Sequence, residues 1–166
     1  MLPTHRTGNL DTAPPTRHDR QALLDAACLL QRAARAGDTR PLLRGKKLGL
    51  LHVTEDSIDA WHFCSAAHEL GAHVAQIRSA FTPDSTPSEV QDTARMLGRL
   101  YDAVECQGLP PALVDQLADA AGIPVYDGLA SPSHASADLA RQLAGDEPLA
   151  DKRRYVVQAM LLATIS

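Results

Sequence analysis

The chain has 166 residues, 45% of them hydrophobic and 22% charged, with a formal net charge of −4. That suffices for one globular domain with a sizeable core. The acidity argues against a general nucleic-acid partner, and no apolar run approaches the roughly 20 residues needed to span a membrane.

Residues 1–16 carry Pro3, Pro14 and Pro15, several threonines and no apolar signal-peptide segment, and read as a disordered tail. The domain proper is expected over 17–166. Residues 17–36 have a helical period, with Leu23, Ala27, Leu30 and Ala34 on one face and Gly37 as a stop. Residues 46–53 form a short, nearly continuous apolar strand of the kind buried in parallel sheets. A helix is predicted over 57–70, ended by Gly71, and a strand over 73–79. Thr86-Pro87-Ser88-Glu89 is a helix start with an N-cap, a proline at the first position and a capping-box glutamate. That helix runs to about residue 100. A strand over 102–107, a helix over 110–121 before Gly122, a strand over 123–126 and a helix over 134–144 follow. A last helix covers 149–166; from Tyr155 to Ile165 only Gln158 and Thr164 are polar, so it must be buried on most sides or shared with another subunit. Alternating strands and helices predict an α/β fold: a single domain whose four-stranded parallel sheet is flanked by helices, with the apolar C-terminal helix packing back on it. Cys28, Cys64 and Cys106 lie in helix- or strand-like stretches and read as reduced, buried thiols of a cytoplasmic protein.

Five features together carry a resemblance: Leu43-x-Gly45-Lys46 with Leu48-Gly49; Leu70-Gly71-x-His73; Asp92-Thr93-Ala94-Arg95; Asp102-Ala103-Val104; and Ile123-Pro124-Val125 followed by Gly128-Leu129 and His134. In order and spacing the chain resembles the carbamoyl-phosphate-binding domain of the aspartate/ornithine carbamoyltransferase family, and is nearest to ornithine carbamoyltransferase. Asp151-x-Arg153 before the apolar helix is similar to the family's last helix. In the family that helix follows a second domain holding the amino-acid substrate. Here only a short link precedes it and neither an S-M-G nor an H-C-L-P motif occurs, so the second domain is expected to be absent.

The resemblance implies a phosphate clamp, S-T-R-T-R, where the first strand enters its helix. Asp56-Ser57-Ile58-Asp59-Ala60 occupies those five places, with Ile58 and Ala60 at the arginine positions. A further family arginine aligns with Gln107. Of the H-P-x-Q motif His134 remains, with Ala135 and Ala137 at the proline and glutamine places. A dianion needs a helix N-terminus, forked arginine donors and groups polarising its carbonyl; one of four main ligand groups survives. The resemblance therefore implies a catalytically inactive relative, a structural, regulatory or binding subunit. It would assemble as a homo-oligomer, a trimer by resemblance, alone or beside a full-length carbamoyltransferase, with no cofactor. The competing expectation is a transferase of altered specificity, acting on an amine or neutral carbamoyl compound. Its site would be built across an oligomer from Asp56, Ser57, Asp59, Gln107, Asp127 and His134.

Plainer readings stand beside these. Glu55, Asp56 and Asp59 can cap the second helix and complement its positive end, with Asp56 or Ser57 as N-cap. His134 can be a relic bonded locally, and Trp61 a packed or interface aromatic rather than a substrate stack. Cys64 and His68, with His62 and His73 nearby, have metal-permitting spacing but no accompanying motif, so no metal is expected. Ser133, His134 and Asp138 could nominally form a triad, yet they lack a nucleophile-elbow context.

Overall fold

The computed structural model describes residues 17–165; the predicted tail, 1–16, lies outside the described residues. The elements are α1 (Arg17–Arg35), β1 (Lys47–His52), α2 (Ile58–Glu69), β2 (His73–Arg78), α3 (Pro87–Leu100), β3 (Ala103–Gln107), α4 (Pro111–Ala121), β4 (Val125–Asp127), α5 (Ala135–Gln142) and α6 (Leu149–Thr164). The strands form one parallel sheet in the order β2-β1-β3-β4. Its register places His52 of β1 beside Gln107 of β3.

The local signals explain the elements. The Thr86 hydroxyl accepts from Glu89 N, and the Glu89 carboxylate accepts from Thr86 N, so the capping box is closed in both directions. Gly122 ends α4 in the left-handed conformation at φ 69. β1 and β3 lie at the centre of the sheet and are buried almost throughout, which is why β1 reads as a nearly continuous apolar run.

Alternation along the central strands sorts the helices onto two faces. Leu48 and Leu50 join Phe63, Ala66, Val157 and Leu161, so α2 and α6 cover one face. Leu51, Val104 and Cys106 join Val90, Leu97, Val114 and Leu117, so α3 and α4 cover the other. A third cluster of Ala27, Leu139, Leu143 and Val156 ties α1, α5 and α6 together. α6 packs back on the domain as its apolar run predicts: Tyr155, Val156, Val157, Ala159 and Leu161 are all buried, against α1, α2 and α5. Burial within one chain thus accounts for most of its apolar surface. Its end is pinned by a hydrogen bond between the Tyr126 and Thr164 hydroxyls.

One expectation needs correction and one is narrowed. Only Cys106 is a buried thiol; Cys28 and Cys64 are half-buried, because they sit at the rims of the helix-packing clusters rather than inside them. Of the packed and interface readings of Trp61, packing within the chain does not hold: it is 61% exposed and its ring meets the edge of His62, since α2 turns Phe63, not Trp61, toward the sheet.

The α5–α6 link, residues 143–148, is clasped to α1. Glu147 accepts from Arg35 Nε at 2.6 Å and from Gln31 Nε2 at 2.9 Å, while Gln31 also donates to the Ala144 carbonyl oxygen at 2.8 Å. The Arg35 hydrogen bond, foremost, holds the Glu147 carboxyl at about 2, below its ordinary 4.5. A depressed carboxyl pKa stabilises the fold above the ordinary value and loses that contribution as pH falls toward the folded one. Glu147→Gln is therefore expected to flatten the fall in melting temperature between pH 4.5 and 2; an acid profile identical to the wild type contradicts the clasp.

α3 and α4 meet at Gly98, where an added Cβ would lie 2.0 Å from the Ala121 carbonyl oxygen. The obstacle is backbone, which cannot rotate away. Gly98→Ala should cost about 1–3 kcal/mol or more in urea unfolding, despite alanine's better helix propensity.

Candidate functional site

The carboxyl edge of the sheet is where the predicted site residues meet. α2 starts on the Ser57 hydroxyl, which accepts from Ala60 N at 3.0 Å and donates to Gln107 Oε1 at 3.1 Å. Ser57, not Asp56, is thus the N-cap, chosen because its extended backbone (φ −73, ψ 148) aims the hydroxyl back at the first turn. Asp56 stands just before it at φ 56, in the left-handed region that a non-glycine residue seldom adopts. Ile58 points outward and is 66% exposed, Asp59 is half-buried in the first turn, and Ala60 is buried.

The second wall is the loop from β4 into α5. Glu105, fully buried in β3, accepts Leu129 N on both carboxylate oxygens, at 3.1 and 2.9 Å. The Ser136 hydroxyl donates to the Leu129 carbonyl oxygen at 2.7 Å, and Gly128 N donates to the Cys106 carbonyl oxygen at 2.8 Å. This holds Asp127, half-buried at the end of β4, and His134 in place. His134 is the N-cap of α5: its Nδ1 accepts from Ser136 N at 3.0 Å, which favours the local, relic reading. The nominal triad is not assembled. Ser133 bonds Ser131, Asp138 pairs with Arg141, and the His134 Nδ1 is committed to Ser136. Ala137 is buried in α5. Among the described residues no group of three or more histidines, cysteines or carboxylates is placed to hold a metal ion.

Three residues of the site escaped the sequence reading. Arg153 of α6 donates to the Ser131 carbonyl oxygen. Burial depresses its pKa, the charge of Asp59 opposes that depression, and the charge of Arg141 adds to it. Arg153 is thus bonded to the loop before His134 and feels the charge of Asp59 at the α2 start, and it supplies a cation where the sequence reading counted none. Its signal was the Asp151-x-Arg153 pattern, read only as a mark of the last helix. Glu105 was signalled by a lone carboxylate inside an apolar strand, which must be hydrogen-bonded if buried. His52 closes the apolar β1 and is only 5% exposed; its Nδ1 and the Nε2 of Gln107 are buried without a hydrogen-bond partner. Chemically, the site joins one helix N-terminus, an amide and an imidazole at the ends of β1 and β3, and carboxylates of the α2 start whose charge reaches one guanidinium.

A family model described as aspartate/ornithine carbamoyltransferase, carbamoyl-P binding domain, matches residues 10–143. Among curated relatives, the ornithine carbamoyltransferase of Actinobacillus pleuropneumoniae is 36% identical over 125 residues, covering 75% of this chain and 37% of that protein. The Cutibacterium acnes ornithine carbamoyltransferase is 36% identical over 121 residues, covering 73% of this chain and 36% of that protein. The chain thus spans less than two fifths of the length of these relatives. Among solved structures, ornithine carbamoyltransferase from Pyrococcus furiosus superposes with a TM-score of 0.65 at 26% identity, over 75% of this chain and 40% of that one. The catalytic subunit of M. jannaschii aspartate transcarbamoylase superposes with a TM-score of 0.62 at 17% identity, over 75% of this chain and 41% of that one, a likeness of fold alone.

Replacing Glu105 by leucine removes the acceptor of Leu129 N. The expected loss is about 1–3 kcal/mol in chemical unfolding, the desolvation cost of an orphaned backbone donor, with faster amide exchange at Leu129. Unchanged exchange there would show that the carboxylate does not hold the loop.

Proposed function

The chain belongs to the aspartate/ornithine carbamoyltransferase family, and we propose that it keeps the family's first-domain scaffold without binding carbamoyl phosphate. It acts instead as a non-catalytic structural, regulatory or binding subunit. The observation that carries this is the start of α2, where S-T-R-T-R is replaced by Asp56-Ser57-Ile58-Asp59-Ala60 and the guanidinium groups expected at Ile58 and Ala60 are missing. Arg153 returns one positive charge, set against Asp59. Two aspartates against one arginine leave an unbalanced negative charge before Glu55 is counted.

Magnitudes favour exclusion over weak binding. At an effective dielectric near 20, a like-charge pair about 4 Å apart costs about 4 kcal/mol. Each lost charge-assisted hydrogen bond removes roughly 1.5–3 kcal/mol more. The helix end returns at most about 2 kcal/mol.

Assembly into a trimer, with itself or beside a full-length carbamoyltransferase, belongs to the same proposal, as does a cytoplasmic location. The exposed Ile58 and Trp61 on α2 support a covered surface there. A second reading, a transferase of altered specificity, draws support from the buried, unpartnered polar atoms of His52 and Gln107.

Titration calorimetry with carbamoyl phosphate is expected to give no heat of binding at physiological concentrations; a micromolar constant overturns the proposal. Light scattering should report an assembly larger than one chain, and a monomer at all concentrations removes the subunit role. Turnover of carbamoyl phosphate or another carbamoyl donor with an amine, abolished by Asp59→Ala or His134→Ala, would establish the second reading instead.

A further inference from the structure

We propose that the cavity between α1, the carboxyl end of α2 and α6 binds a primary ammonium ion with a short branched apolar tail, its head held by Gln158 and Glu69 and its tail by Leu42 and Leu70. The site lies at the opposite end of α2 from Ser57, roughly 17 Å along that helix, and goes beyond the reading of the helix start.

The place follows from how three helices meet. α6 packs against both α1 and α2, but α1 presents Ala33 and Ala34 where larger side chains would fill the space, and a cavity of about 220 Å³ remains. Tyr155 and Gln158 of α6, Leu70 at the end of α2 and Leu42 from the link after α1 line it. At about 30 Å³ per water it has room for roughly seven water-sized groups, which suits a small molecule rather than a drug-sized one. Its mouth is apolar: Leu29 is 65% and Leu42 55% exposed, so covering them favours an apolar occupant.

The chemistry follows from one half-used amide. Gln158 interrupts the apolar run of α6 and is only 3% exposed. Its Nε2 donates to the Ala66 carbonyl oxygen at 3.2 Å and to Glu69 Oε2 at 2.9 Å. Both partners only accept, which fixes the orientation of the amide. Among the described residues none donates to its Oε1. A buried side chain with an open acceptor, in the wall of a cavity, calls for a donor there. Glu69 adds acceptor capacity beside it. Arg154 Nε lies 3.1 Å from Glu69 Oε2; with Gln158 that uses two of the carboxylate's roughly four acceptor sites.

One head group suits these acceptors. An ammonium has donors only, whereas a carboxylate or phosphate has acceptors and would face Glu69 and Asp38 at the rim. The charges agree. Arg154 is shared between Glu69 and Asp151, and Arg40 pairs with Asp38. Three carboxylates thus meet two guanidiniums, and one negative charge is left over. The Glu69 side chain is 47% exposed, so the ion keeps part of its hydration and avoids the cost of full burial. Leucines and alanines around the rest of the cavity require a compact hydrocarbon tail.

The test is titration of isopentylamine, protonated at neutral pH, into the full chain, read by nuclear magnetic resonance at the Gln158 side-chain NH2 and the methyl groups of Leu42 and Leu70. Saturable shifts at all three with a millimolar constant are expected, within reach of a ligand of about six non-hydrogen atoms. Isopentanol, which has the same shape without the charge, should bind about tenfold more weakly, and methylammonium, which lacks the tail, should not saturate. Neither comparison needs a variant. Gln158→Leu and Glu69→Gln should each weaken the amine about tenfold; the second lies at a half-exposed position and serves if the first does not fold. The proposal fails if isopentylamine gives no saturable shift by about 100 mM, if isopentanol or methylammonium binds as tightly, or if natively folded Glu69→Gln binds as the wild type does. It fails also if the shifts fall at Gln107 and His134 instead, or if amine-soaked crystals hold only water beside Gln158. A second copy as occupant would show as a light-scattering mass that falls on Leu29→Glu and is indifferent to the amine, and that result too overturns it.

Discussion

A single buried carboxylate organises the functional edge of this domain. Glu105 lies in the middle of the most buried strand, 0% exposed, and both of its oxygens receive the Leu129 N–H. The loop it fastens runs from β4 to α5 and places Ser131, whose carbonyl oxygen takes Arg153, and His134, which caps α5. That anchor acts together with the Gly128 N–H, which donates to the Cys106 carbonyl oxygen of β3, to hold the loop against the sheet. The same carboxylate marks its surroundings. Burial first, and then the charges of Glu105 and Asp127, push the Cys106 thiol above its ordinary range, keeping it protonated and inert. Burial likewise raises the Tyr126 phenol, partly opposed by its bond to Thr164, with Glu105 adding a smaller upward push.

Opposite this loop, α2 starts on a complete N-cap at a place where the family resemblance implies arginines and this sequence has none. Forming the helix requires an N-cap and tolerates acidic residues in the first turn, which complement the partial positive charge of the helix end. Ser57 and Asp59 meet those needs. Binding a dianion would require the same helix end to face cations. One short segment cannot serve both demands with the same residues, and this chain has the set that suits folding. Arg153, arriving from the far end of the sequence, partly offsets the acidity without restoring a forked clamp.

The sheet, the helices and their order were legible because they rest on local rules. Gly37, Gly71 and Gly122, the capping box at Thr86 and the apolar run of 48–51 each report the backbone within a few residues of themselves. The first-turn site at Ser57 was legible for the same reason, and so was its nearness to Gln107, which the family resemblance supplied in advance. Errors arose where a side chain's fate depended on distant packing. Trp61 and Phe63 look alike two residues apart, yet only the rotation of α2 on the sheet decides which is buried. The three cysteines look alike in the sequence, yet only Cys106 sits on a strand covered from both sides.

The amino-acid sequence by itself determined the element order, the parallel α/β class and the family, and it puts Ile58, Ala60 and Gln107 where the resemblance implies arginines, because periodicity, caps and motif identity are written in neighbouring residues. Tertiary structure alone decided what surrounds those positions. It brought Arg153 across 94 positions to face Asp59, set Glu105 beneath Leu129, and left His52 and Gln107 side by side with unpartnered atoms. Such pairings depend on how strands register and helices pack over long separations, where hydrogen-bond geometry and burial, rather than local preference, fix the outcome.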